Sequence, residues 1–339
     1  MGMHSRWRHL LIAACLLSFV LWLGAFNATK ARLLVVHSKG PDTAWVQAMD
    51  AGMRQALDAN RRPVSVSWMY LDLTAPTAAN RLNQVQASLQ RMVEQVDPDV
   101  LIVVDDEANG LVAAMGLAGR VGRILYVSLD SPPAHYGYSG LTQVSGIAET
   151  LPLDAIREAA TSLFADRQPR AAVIGLDTST GRAEMAQVRS FDWGEVRLDN
   201  TALVSSAAAW RAFISDTTAD LLVVLSTDGL PEPAGQITSA AQLIRWAQAH
   251  AEGLPIGTQI DFVPQGGALS FAPPPGVFGR EAIRGALDWL DERHSRGAPA
   301  PLVIAHFDVG LRQSALASRG LRLPSIYSEA AREAGALYP

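Results

Sequence analysis

Between residues 98 and 114 the chain reads PDVLIVVDDEANGLVAA, in which the apolar run Val100 to Val104 stops at Asp105, Asp106 and Glu107. An apolar helical spacing carrying Asn109 and Gly110 begins at once. A continuous apolar run bounded by polar residues predicts a strand buried on both faces, and a strand feeding straight into a helix is half of a βαβ unit. The same grammar precedes it. Arg32 to Val36 is a buried-strand run ending in His37-Ser38-Lys39-Gly40-Pro41-Asp42, and Trp45 to Leu57 has helical apolar spacing. Val64 to Leu71 reads as a strand, Asn80 to Val96 as a long helix, and Arg123 to Leu129 as a further strand before a Pro-rich break.

The second half repeats the pattern. Leu153 to Phe164 predicts a helix, Ala171 to Leu176 a strand ending in Asp177-Thr178-Ser179, and Gly181 to Ser190 a helix. Val196 to Val204 reads as a strand, Ala207 to Thr217 as a helix, and Leu221 to Leu225 as a buried strand ending in Ser226-Thr227-Asp228. Ser239 to Ala251 is helical in spacing and Ile256 to Phe262 strand-like. The fold class predicted is α/β, with two doubly wound Rossmann-like lobes in succession and a hinge near Thr142 to Ile147. In such sheets a ligand sits beyond the carboxyl ends of the strands, where the acidic triplet lies.

VVDDE also resembles the opening of a two-component receiver domain, in which paired acids hold a magnesium ion. A receiver needs a phosphorylatable Asp about two βα units further on, with Thr/Ser and Lys at later strand ends. Here Asp130 arrives too soon and Gly140 to Pro152 is a polar turn, so several residues are missing.

Residues 1–29 are of another kind. Arg6 and Arg8 precede the uncharged run Leu10 to Phe26, LLIAACLLSFVLWLGAF. Basic residues before an apolar core predict a cytoplasmic N-terminus with the following chain exported. The run is at the short end for a spanning helix and lacks an A-x-A cleavage site, which favours a retained signal anchor over residues 10–26 over a cleaved signal peptide. Cys15 is the single cysteine and lies inside this run, where it superficially matches a lipoprotein box. The exported part therefore has no disulfide available and is held by burial.

The 339 residues are 49% hydrophobic and 18% charged, with a formal net charge of -5. Two medium lobes fit that length, and the mildly acidic balance without a basic stripe gives no reason to expect nucleic acid. The histidines form no His-x-x-x-His pair, so no metal site is predicted. There is no G-x-S-x-G, Walker A or G-x-G-x-x-G sequence, so neither a catalytic nucleophile nor a cofactor is predicted, and the chain is not read as an enzyme.

LLVVHSKGPDTAWVQAMDAGMRQAL resembles the opening of the ABC-transporter substrate-binding proteins of the type I periplasmic-binding fold, including relatives fused to sensor kinases. PDVLIVVDDEANGL, SGIAETLPLDAIREAATSLF, GALSFAPPPGVFGREAIRGALDWLDERHSRGAPAP and LASRGLRLPSIYSEAARE are similar to later landmarks of that family. Arg312 stands where an Asn often opens the last helix, and Lys39 where a Tyr or His often follows the first His-Ser, departures that bear on the ligand more than on the fold.

The resemblance implies a multi-strand hinge, with lobe 1 formed by 30–146 plus about 266–299 and lobe 2 by 147–265 plus about 300–339. It also implies that strand ends from both lobes converge on one cleft for a small-molecule ligand: His37, Ser38, Asp105, Asp106, Ser128 and Asp130 from one side, and Asp177, Ser179, Ser226, Thr227 and Asp228 from the other. The partner it implies is an ABC permease or, for a tethered sensory ligand-binder that transports nothing, a membrane sensor. The location it implies is periplasmic or otherwise extracytoplasmic. Ser38, Asp42, Thr178 and Ser179 are equally well explained as helix caps. Because acids outnumber Lys39 at these strand ends, an amine-bearing or amino-acid-like ligand is expected over an inorganic anion.

Overall fold

The computed structural model describes residues 2–28, 30–73, 79–291 and 298–339. After the N-terminal helix α1 (Gly2–Ala28), strands β1 (Ala31–His37), β2 (Val64–Tyr70), β3 (Val100–Val104), β4 (Ile124–Leu129) and β5 (Val144–Ala148) alternate with helices α2 (Ala44–Ala59), α3 (Ala79–Val96) and α4 (Asp106–Ala114). The second half carries β6 (Arg170–Leu176), β7 (Arg197–Val204), β8 (Leu221–Val224) and β11 (Leu254–Gly257), between helices α5 (Leu153–Leu163), α6 (Ser179–Ser190), α7 (Ala207–Ser215) and α8 (Ala240–His250). A short ribbon, β9 (Leu230–Pro231) and β10 (Ile237–Thr238), interrupts it. The chain closes with β12 (Leu269–Ala272), α9 (Pro275–Asp291), β13 (Leu302–Val303), β14 (Asp308–Arg312), α10 (Gln313–Ala317), α11 (Ser325–Glu333) and β15 (Leu337–Tyr338).

Among the described residues, the main strands form a six-stranded sheet, ordered β13-β5-β4-β3-β1-β2, and a seven-stranded sheet, ordered β15-β14-β12-β11-β8-β6-β7. Pairing is parallel throughout both, except for the antiparallel pair β12 and β14. Alternation along each strand divides the apolar residues between two layers. In β1, Leu33 and Val35 face a core shared with α2 and α9, while Leu34 and Val36 face a second core with Leu89, Val112 and Tyr126. The second sheet is covered on both faces in the same manner.

The chain passes between the sheets after Ala148, after Ala272 and after Val303. The expected hinge at Thr142 to Ile147 thus lies largely within β5, and the first passage follows it. The span 266–299 does not belong wholly to the first lobe. Leu269–Ala272 is buried on both sides between β11 and β14 of the second sheet. Pro273, Pro274 and Pro275 then carry the chain across, and only α9 packs on the first lobe. Residues 292–297, in the predicted polar loop after α9, lie outside the described residues. Ile256 to Phe262 is likewise not one strand: β11 stops at Gly257, and the Phe262 side chain folds back against Gly257 and Gly267.

Among the described residues, no helix is long and apolar enough to cross a membrane. The spanning helix expected over 10–26 is therefore not shown.

Glycines fasten α9 to the first lobe. A Cβ on Gly52 of α2 would stand 2.0 Å from the Gly276 carbonyl oxygen, and one on Gly279 would stand 2.1 Å from that of Met49. The two helices touch backbone to backbone, and this seam ties the second passage between the lobes to the first sheet. Gly52→Ala and Gly279→Ala should each lower stability by about 1–3 kcal/mol, the usual cost of forcing a methyl into a filled contact. The expected reading is a lower urea midpoint at unchanged slope; unchanged midpoints would show that the seam separates without cost.

Candidate functional site

The carboxyl ends of β1, β3 and β4 face those of β6 and β8, and the polar residues that end these strands meet between the sheets. Asp105 caps α4 with φ 77° and ψ 159°, and Ser128, next to last in β4, has φ 56°. Both backbones lie where residues with a Cβ are uncommon; such strain persists where surrounding bonds over-determine it. Those bonds are present. The Ser38 hydroxyl donates to Asp105 Oδ2 at 2.8 Å, and the Asp106 amide donates to Asp105 Oδ1 at 2.8 Å. Ser128 donates to Glu149. Asn109 donates to the Asp105 and Val103 carbonyls and accepts from the Tyr138 hydroxyl.

Asp106 acts as an internal brace. Its carboxylate accepts the amides of Asp130 (2.8 Å) and Ser131 (3.0 Å) and the Tyr136 hydroxyl (2.6 Å), so its oxygens are occupied within the first lobe. Asp105, Asp106 and Asp130 bring carboxylate oxygens within 4.8 Å of one another, the spacing of a cation site. The donors just named already engage Asp105 and Asp106, so this donor set is not free to surround a metal.

From the second lobe, the Thr180 hydroxyl lies 3.3 Å from Asp105 Oδ1 and 3.3 and 3.1 Å from the two Glu107 oxygens, with one proton to give among them. The Ser179 hydroxyl donates to Glu107 at 3.1 Å. Glu184 accepts both the amide (3.0 Å) and the hydroxyl (2.5 Å) of Ser226, and Gln259 donates to that hydroxyl at 2.7 Å. Lys39 Nζ stands 3.9 Å from Asp105 Oδ2. These groups enclose a void of about 50 Å³, lined by Ser38, Lys39, Leu73, Glu107, Leu176, Thr178, Thr180, Ser226 and Asp228.

Of the residues expected in the cleft, Ser38, Ser226 and Asp228 line the void, while Asp105 lies directly behind it on Ser38. Asp106, Ser128 and Asp130 form the layer beneath. Asp177 and Thr227 are placed elsewhere: Asp177 is exposed and paired with Arg182, and the Thr227 hydroxyl donates to the Leu225 carbonyl. His37 is fully buried on the other side of β1, 3.0 Å from Asp50 and stacked on Tyr70. Thr180, Glu184 and Glu149 were not anticipated. The sequence does carry a signal for Glu184, a carboxylate inside the buried helical stripe Thr180, Gly181, Glu184, Met185 and Val188. Larger grooves, such as that between Arg157, Gly194 and Tyr327, lie away from the strand ends.

Burial sets the charge balance. It pushes the Glu149 carboxyl up to about 8, with Glu184 and Asp105 adding repulsion. Glu107 rises to about 7 through burial and the charge of Asp105. Glu184 rises to about 7 through burial, against the stabilising Ser226 bonds. Asp130 is raised well above its ordinary value by burial and by Glu149. Burial alone would lower Lys39, but Asp228, Asp105, Glu107 and Glu184 outweigh it and hold the ammonium charged.

A raised carboxyl value means that, from about pH 4.5 upward, the folded state holds protons the unfolded chain has released. The unfolded state then binds fewer protons, so the stability from these groups is present at the acid end and lost as pH rises through about 7 to 8. The thermal midpoint should fall between pH 6 and pH 9, and Glu149→Gln should flatten that fall. A midpoint rising over the range, or a slope unaffected by Glu149→Gln, would contradict the assignment.

No protein-family model matches the chain, and no curated protein matches it in sequence. Solved structures do. A conserved domain protein from Vibrio cholerae O1 biovar El Tor superposes with a TM-score of 0.66 at 14% identity, over 89% of this chain and 98% of that one. An ABC domain from Streptococcus pneumoniae in complex with L-Trp superposes with a TM-score of 0.66 at 12% identity, over 89% and 98%. A periplasmic ribose ABC transporter protein from Conexibacter woesei gives 0.58 at 15%, over 90% and 97%. The chain has the two-lobed fold of the periplasmic solute-binding proteins of ABC transporters, as the resemblance in its sequence implied.

Proposed function

We propose that the chain is an extracytoplasmic solute-binding protein that captures a small polar ligand between its lobes and presents it to an ABC permease. The observation that carries this reading is the meeting of polar strand ends from two parallel sheets joined by three chain passages, an arrangement suited to hinge closure around a ligand. The void of about 50 Å³ is far below the roughly 300 Å³ or more of a ligand pocket. A ligand therefore enters with the lobes apart.

Ser38, Ser226 and Asp228 are the ligand contacts this reading assigns, with Asp105 positioning Ser38. Among the charged groups of the lining and its surroundings, acids outnumber the one ammonium, that of Lys39, which stands against Asp105. An ammonium group gains charge-assisted bonds in such a cleft, whereas phosphate or sulfate meets repulsion in a partly desolvated space. The ligand class is an amine-bearing, amino-acid-like molecule. In a thermal-shift screen, such a ligand at a hundredfold excess over Kd should add about 2.7 kcal/mol of apparent stability. Asp228→Asn should weaken its binding tenfold or more, since a hydrogen bond to a charged group contributes about 1.5–3 kcal/mol. Stabilisation by inorganic anions alone, or parent-like binding by Asp228→Asn, would refute the ligand class.

A second reading, a membrane-tethered sensory binder that does not transport, is favoured by α1. Its described apolar side chains, including Leu11, Leu16, Leu17, Phe19, Leu21 and Trp22, are more than half exposed, the condition of a segment awaiting lipid or a partner helix. A free mature chain favours the first reading, whereas an uncleaved anchor over residues 10–26 in the cytoplasmic membrane favours the second or a locally tethered transporter component. The chain should then sediment with membranes and be released by detergent but not by high salt; a soluble exported form beginning near Phe26 would show cleavage.

A further inference from the structure

The two lobes meet through side chains of the protein itself in the positions where the proposed function puts a ligand. Glu107, the second residue of α4 in the first lobe, reaches across to the start of α6 in the second and accepts the hydroxyls of Ser179 at 3.1 Å and Thr180 at 3.1 and 3.3 Å. Thr180 also reaches Asp105. Lys39, from the loop after β1, lines the same void as Asp228 of the second lobe and stands 3.9 Å from Asp105. The first lobe thus presents an ammonium and a carboxylate to the second. Hydroxyls receive the carboxylate, and an acid shares the space of the ammonium.

We infer that Glu107 and Lys39 form a built-in latch, an internal stand-in for a zwitterion that ties the lobes together across the cleft. Three features support it. Thr180 is buried, so its bonds to Glu107 and Asp105 are withdrawn from competing water. The void left between the lobes has room for a few water molecules only, at about 10–15 Å³ of such volume for each. The Trp45 ring lies 5.5 Å from Lys39 Nζ and flanks the ammonium on its first-lobe side. A ligand must then displace Glu107 from Ser179 and Thr180 to enter, so its apparent affinity is reduced by the fraction of molecules that are latched. This inference rests on the reading of the cleft as the ligand site, and it assigns that site its regulation.

The test uses the full chain in detergent with Cys15→Ser and spin labels at Gln95 and Ala208, exposed positions on α3 and α7 of opposite lobes. Without ligand, the parent should give one narrow interlabel distance distribution. Glu107→Ala combined with Thr180→Val, and Lys39→Met alone, should each shift it to longer, broader distances while cooperative thermal unfolding persists. Glu107→Gln, which keeps an acceptor oxygen for Thr180, should stay nearer the parent than Glu107→Ala. A broad, open parent distribution, or latch variants that remain as narrow as the parent, overturns the latch. The function is judged separately: an open parent that closes on an amine-bearing ligand removes the latch but keeps the binding role, whereas a closed parent whose latch variants open yet bind no ligand keeps the latch and removes the role.

Discussion

Carboxylates buried against one another, with one ammonium among them, are the constraint on which this molecule's arrangement depends. An ionised carboxylate taken out of water costs several kcal/mol unless it is paired or hydrogen-bonded, and repulsion among neighbours adds to that cost. The protein meets the constraint in different ways at different positions. Asp106 is satisfied by two amides and a phenol, Asp105 by Ser38 and the amide of Asp106, and Glu184 by both polar groups of Ser226. Glu149, deepest under this repulsion, instead holds its proton to well above the ordinary carboxyl range. Lys39 supplies the positive charge against which the rest are set.

That cluster exists because the scaffold brings two sets of strand ends together. The central strands of each sheet are buried on both faces and almost wholly apolar, so the polar residues that follow them gather at the strand ends, and three passages join the two sheets. The α2 and α9 seam, closed by Gly52 and Gly279, makes the second passage part of the first lobe's core. In the proposed closure, approach of the lobes and burial of these charges are one event. Whatever cation or proton accompanies closure determines how stable the closed form is, which links the ligand class to the electrostatics of the cleft.

Much of the fold was legible in the sequence because strands buried on both faces leave no polar position to confuse the period. Val100 to Val104 and Leu221 to Leu225 announce themselves as such runs, and a helix follows the first at once. The return segment was harder. Leu269 to Ala272 and Pro275 to Asp291 are contiguous and both apolar, and only the pairing of β12 with β11 and β14 shows that the Pro-rich step divides them between lobes. Gly257 and Phe262 read as one strand because a ring folded over glycine has the same letters as an extended run. At the site, position at a strand end was readable but direction was not. Asp177 turns outward to Arg182, and Thr227 bonds its own backbone, choices made by local geometry. Thr180 meets Asp105 from 75 positions away in the chain, a pairing no local pattern encodes.

The most direct test of this account is a carboxyl titration by NMR, with 13C-labelled glutamate in the ligand-free protein and assignment by Glu107→Gln, Glu149→Gln and Glu184→Gln. The account predicts that the resonances lost in these variants titrate near neutrality, at about 7 to 8, apart from the exposed glutamates. If all three titrate with exposed carboxyls near the ordinary value of about 4.5, the lobes do not bury their acids together and the cleft described here is not the closed site of this protein.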